Sequence, residues 1–114
     1  MRADVAGAIE MQATPQRHHR RTIFSVPLAL RPAADEAFCA VHGISLDISE
    51  GGLGAMVQGN LRIGEAVQID FALGKRKFTT VAIVRHVSSA RCGFEFLELN
   101  EDQRRQIITF VRTA

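Results

Sequence analysis

From Phe24 to Phe96 the chain is a succession of short runs in which apolar residues recur at every second position, a period that specifies β-strands. The first run sets Phe24, Val26, Leu28 and Leu30 on one face and Ser25, Pro27, Ala29 and Arg31 on the other. Pro27 has no N–H, so it suits an edge or an unpaired ladder position. Pro32 to Glu36 reads as a polar turn. Ala37 to Asp47 then forms a long second strand, with Phe38, Ala40, His42, Ile44 and Leu46 opposing Cys39, Val41 and Ser45. Gly51 and Gly52 end it, because adjacent glycines permit positive φ and close backbone approach. Leu53 to Val57, Ala66 to Leu73, Phe78 to Val87 and Arg91 to Leu97 bring the number of strands to six, separated by turns at Gly59-Asn60, Gly74 to Lys77 and Ser88 to Ala90. The period then turns helical. Asn100 is placed to cap, Gln103 lies at capping-box distance, and Ile107, Ile108, Phe110 and Val111 form an apolar stripe.

Six short strands this close together favour closure, since a closed sheet has no exposed edges to protect. The expected fold is all-β: a six-stranded antiparallel β-barrel with a C-terminal α-helix across one opening. At 114 residues and 46% apolar content, the chain suffices for one core and one domain. Residues 1–14 mix small and charged residues without a clear period and read as a flexible lead, leaving 15–114 as the domain. A formal charge of +2 with 23% charged residues matches neither a disordered chain nor a wholesale DNA coat.

No stretch approaches the roughly 18 to 20 uninterrupted apolar residues that cross a bilayer. Asp4 and Glu10 stand where a signal peptide needs its apolar segment, so membrane insertion and secretion are not expected and the cytoplasm is. Cys39 and Cys92 lie in apolar runs without a Cys-x-x-Cys partner and read as reduced core thiols.

The chemistry concentrates at two places. Arg17, His18, His19, Arg20 and Arg21 form a basic run just ahead of the first strand. Arginine presents a planar fork of donors that fits phosphate oxygens or the O6/N7 edge of guanine, and its face stacks on a base. At the end of the second strand stands Asp47-Ile48-Ser49-Glu50-Gly51-Gly52. An ionised carboxylate only accepts, which suits the N1–H and N2–H donors on one edge of guanine; Ser49 adds a small donor and acceptor, and Gly52 lets the chain turn. Taken singly, the first run equally describes a solvated basic linker and the second an ordinary Ser or Asx turn.

Taken together, Arg17-x-x-x-Arg21 before the first strand and Asp47-x-Ser49-x-x-Gly52 at the second-strand turn resemble the signature of the PilZ family, R-x-x-x-R followed by [D/N]-x-S-x-x-G. The resemblance runs from about Gln16 to Val111 and includes the Gly93-Phe94-Glu95-Phe96 strand followed by a helix. It implies a split-barrel-like bacterial receptor for the second messenger cyclic di-GMP, with Arg17 and Arg21 on bases and phosphates and Asp47, Ser49 and Gly52 at a guanine edge. Arg20 and Gly51 are additional candidate contacts. The arginine arm would order over the ligand and signal to a partner protein, from a monomer or weak homodimer.

Other classes lack their residues. His18, His19, His42 and His86 do not follow zinc-ligand spacing, and His42 and His86 read as satisfied barrel residues. Neither a metal nor a cofactor is expected. Ser49 has no suggestively placed histidine, and no glycine-rich phosphate loop is present, so catalysis is not expected; Glu50 and Glu95 read as solvated strand-end charges. A nucleic-acid-binding small barrel would use the arginines and Lys75-Arg76-Lys77, but the chain has no Trp or Tyr for base stacking, and its seven Phe mostly fall on core faces. A second alternative is a protein-docking module of the same fold that binds no nucleotide.

Overall fold

Two of the strands outlined by the sequence pattern are interrupted in space, and the interruptions decide which side chains face outward. The computed structural model describes residues 21–33 and 40–113. Among these, β1 (Thr22–Ile23), β2 (Pro27–Pro32), β3 (Val41–Ile48), β4 (Gly52–Val57), β5 (Ala66–Leu73), β6 (Arg76–Val87) and β7 (Cys92–Phe96) precede helix α1 (Glu101–Thr113). Strands β3, β2, β5, β6, β7 and β4 pair in that order, all antiparallel, and β4 pairs again with β3, closing a six-stranded barrel. The short β1 adds to the free side of β3.

The expected barrel and helix are present. Alternation carries Leu28, Leu30, Val67, Ile69, Phe71, Phe78, Ala82, Val84, Phe94 and Phe96 into the interior. Phe24, Phe71, Phe78 and Phe96 make a chain of ring contacts with centroids 4.9–6.3 Å apart. Each large apolar side chain buried this way contributes about 1.5–3 kcal/mol. Cys92 is buried as a free thiol, and burial pushes its pKa up from the ordinary 9.0. Cys39 and Phe38 lie outside the described residues.

The predicted first strand begins at Phe24, yet residues 24–26 fall between two strands, β1 ending at Ile23 and β2 beginning at Pro27. Between β1 and β2 the chain is stitched to β3 by the Ser45 hydroxyl, which accepts from the Val26 N–H at 2.9 Å and donates to the Phe24 carbonyl. Pro27 lies at the start of an internal strand, where its missing N–H leaves no gap in a ladder, rather than on an edge.

In β3 the pairing with β4 jumps from Ser45↔Ala55 to Asp47↔Gly54, leaving Leu46 as an extra residue. Such a bulge reverses the alternation beyond it. Ser45 and Ile48 therefore both face inward, and Asp47 turns out of the core side. A second shift, in β6 between Val84 and His86, makes Arg85 the extra residue. His86 is thereby exposed, as is His42 on the outer side of β3, so neither histidine is a satisfied interior residue.

Helix α1 starts with a reciprocal capping box. The Asn100 side chain accepts from the Gln103 N–H at 2.7 Å, and the Gln103 side chain accepts from the Asn100 N–H at 3.2 Å. Ile107 and Val111 bury against the barrel, and Phe110 meets Phe24 edge-to-face at 5.1 Å. The helix thus packs beside the strand that follows the arginine arm.

Removing the Ser45 hydroxyl leaves the Val26 N–H and Phe24 carbonyl unpaired in a buried place. Ser45→Ala is expected to lower stability by about 1–3 kcal/mol in urea denaturation; an unchanged midpoint would mean that the stitch carries no weight.

Candidate functional site

Asp47 stands at the point where β1, β3 and β4 meet. It is aligned with Ile23 on one side and Gly54 on the other, and Gly54 is aligned with Gly93 of β7. Its carboxylate is largely covered, at 17% exposure. Arg21, which directly precedes β1, places Nη1 2.7 Å from Oδ1. Arg91, in the turn before β7, places Nη2 3.0 Å from Oδ2. The backbone N–H of Gly54 donates to Oδ1 at 3.2 Å. One anion is thus held by two guanidinium groups and one fixed dipole, while both arginines remain about half exposed.

The basic run and the second-strand turn therefore converge. Arg21 and Asp47, assigned to one site from sequence, are in direct contact. Asp47, however, is not freely exposed, because its charge is already matched within the chain. Arg17, His18, His19 and Arg20 lie outside the described residues.

Ser49 is 2% exposed. Its hydroxyl accepts from the Gly51 N–H at 3.2 Å and reaches the Gly52 carbonyl at 3.4 Å, while its own N–H donates to that carbonyl at 2.8 Å. Ser49 therefore shapes the turn. Gly51 ties the turn to β7, its carbonyl accepting from Phe96 N–H at 2.9 Å. Gly52 is required by close approach rather than by backbone conformation, since a Cβ there would overlap the Phe94 carbonyl oxygen, and the positive-φ glycines described are 59, 64 and 74.

Glu50 and Glu95 are paired rather than simply solvated. Glu50 Oε2 lies 3.2 Å from Arg104 Nη1 of α1, and Glu95 Oε1 lies 2.6 Å from Arg85 Nε. The Arg104 pair links the helix to the turn, and the Thr22 hydroxyl reaches the Val111 carbonyl at 3.5 Å, so α1 touches both halves of the site.

Sequence reasoning missed Arg91. It sits in a hairpin turn, where a lone arginine reads as a solvated charge, and only the strand register places it over Gly54. The signal available in the sequence was a strand-interior glycine, Gly54, which leaves room beside Asp47 for a large side chain. A Cβ on Gly54 would lie 3.1 Å from Asp47 Oδ1 and 3.4 Å from Arg91 Nη2. Among the described residues no group of three His, Cys, Asp or Glu is placed to hold a metal, and no helix is long and apolar enough to cross a membrane.

A family model described as the PilZ domain matches residues 15–113. Among solved structures, the PilZ domain of YcgR from Escherichia coli with c-di-GMP is 19% identical, with a TM-score of 0.71 over 86% of this chain and 90% of that one. The PilZ domain of CeSA from a cellulose-synthesizing bacterium is 21% identical, with a TM-score of 0.64 over 82% and 95%. The Bacillus subtilis inhibitor of motility MotI/DgrA is 18% identical, with a TM-score of 0.72 over 88% of this chain; the chain spans 51% of that protein's length. A search of curated proteins returned no match.

Gly52→Ala forces β4 away from β7 at the turn. It is expected to cost about 1–3 kcal/mol of stability, read from the urea midpoint; parent-like stability would show that the two strands separate freely there.

Proposed function

The chain belongs to the PilZ domain family, and we propose that it is a receptor for cyclic di-GMP, acting as an adaptor rather than an enzyme. The observation that carries this reading is the 2.7 Å contact between Arg21, ahead of the barrel, and Asp47 at the second-strand turn. It brings a donor fork suited to phosphate or a guanine face beside an acceptor suited to the N1–H and N2–H edge of guanine. Support also comes from the family signature, which the chain fills at Arg17, Arg21, Asp47, Ser49 and Gly52, and from the ligand bound to the similarly folded YcgR domain.

In this reading residues 15–114 form the binding unit and 1–14 a lead. Arg17 and Arg21 engage bases and phosphates, with Arg20 as a further contact. Asp47 takes a guanine edge, while Ser49, Gly51 and Gly52 hold the bend that presents it. Ligand binding orders the arginine arm, and its changed surface signals to a partner protein in the cytoplasm. The ties from α1 to Thr22 and Glu50 supply a route by which a change at the site reaches the helix. The domain works as a monomer or weak homodimer. A nucleic-acid role is disfavoured because Phe24, Phe71, Phe78, Phe94 and Phe96 are buried and offer no stacking surface.

The test is titration calorimetry of the purified protein with cyclic di-GMP, GTP, cyclic GMP and single-stranded DNA. Saturable binding of cyclic di-GMP alone is expected, with Arg21→Ala and Asp47→Ala each weakening it at least about tenfold, the effect of losing a charge-assisted contact. Salt-sensitive DNA binding with no dinucleotide response would overturn the reading.

A further inference from the structure

Asp47 has too many donors to accept guanine without giving one up. A carboxylate has about four acceptor positions, two on each oxygen. Oδ1 already accepts from Arg21 Nη1 and the Gly54 N–H, whereas Oδ2 accepts from Arg91 Nη2. The two parallel donors of a guanine edge need one position on each oxygen. Oδ2 has one to offer; Oδ1 must first lose a partner.

The Gly54 N–H is fixed by the register of β4 between β3 and β7. Arg21 lies outside the barrel ladder, next to a two-residue strand, so its guanidinium is the partner that can leave. Arg91 is anchored differently. The Ser88 N–H and hydroxyl both donate to its carbonyl oxygen, at 2.8 and 3.2 Å, which fixes the backbone of the turn that carries it. The missing side chain at Gly54 leaves the space that its guanidinium enters.

Resting on the cyclic di-GMP reading, we propose that Arg91 is a positioning residue that stays on Asp47 Oδ2 as its resident counter-ion. Arg21 is the exchangeable partner, displaced from Oδ1 by the guanine edge and transferred to the ligand. Arg91 keeps the carboxylate paired with a cation and correctly aimed while Arg21 changes partners. An isolated carboxylate would lose that orientation at the moment of binding. The exchange also favours guanine over adenine, because only guanine supplies two parallel donors from adjacent nitrogens, N1–H and N2–H, to compensate Asp47 for losing Arg21.

The experiment is a double-mutant cycle on the full chain with Arg91→Ala, Asp47→Ala and the double variant, titrated with cyclic di-GMP and cyclic di-AMP. Arg91→Ala is expected to weaken cyclic di-GMP binding about tenfold, with Arg91→Lys recovering part of the loss. The margin over cyclic di-AMP should shrink in the same variant. In the Asp47→Ala background the Arg91 substitution should add nothing. A parent-like affinity for Arg91→Ala, or losses that multiply in the double variant, would overturn the proposal. A readout without ligand separates it from the reading on which it rests: the Asp47 side-chain carboxyl ¹³C signal of the free protein should move in Arg91→Ala. If the parent binds no cyclic di-GMP the functional reading fails, and if that signal stays in place the positioning role fails.

Discussion

A single extra residue in β3 turns the carboxylate of Asp47 away from the barrel interior. Without Leu46 as a bulge, strict alternation would place Asp47 on the same face as Ser45, among the buried side chains. An unpaired carboxylate there would carry a heavy desolvation penalty. With the bulge, Asp47 emerges between the arm that precedes β1 and the turn that precedes β7, and both deliver an arginine to it. The site is a consequence of that one register shift.

The rest of the architecture fixes this location. Closure of β3 onto β4 holds the two sides of the Asp47 turn at a set spacing, and the close approach of Gly52 to the Phe94 carbonyl locks the turn to β7. Ser49, buried beneath it, uses its hydroxyl to keep the bend in shape. Helix α1 buries Ile107 and Val111, packs Phe110 on Phe24, and holds Glu50 through Arg104. The elements that hold Asp47 and the elements that pack the core are therefore shared. In the proposed reading the barrel wall carries the acceptor and the segment before β1 carries the exchangeable cation, the division of labour that a ligand-driven switch requires.

Much of this was legible in the sequence because period-two alternation is a strong signal when runs are short and turns are marked by glycine. The interior positions of β5 and β7 follow it closely, from Val67 to Leu73 and from Cys92 to Phe96, and the helical spacing of α1 puts Ile107 and Val111 inside. The meeting of Arg21 with Asp47 was legible from motif order. Part of what escaped reading came from the two bulges. A bulge leaves no local mark when the extra residue is an ordinary Leu or Arg, so Asp47 and His86 could not be oriented from alternation alone. Arg91 was hidden for a different reason, since its partner is set by register across three strands. The burial of Ser49 was equally silent, because a serine in a turn is as readily a surface donor as an internal brace.

The most direct measurement is a crystal structure of the chain with cyclic di-GMP bound. The account predicts a guanine edge on both oxygens of Asp47, Arg91 still on Oδ2, and Arg21 withdrawn from Oδ1 to the nucleotide. A nucleotide seated elsewhere on the barrel, with the Arg21 and Asp47 contact intact, would contradict it.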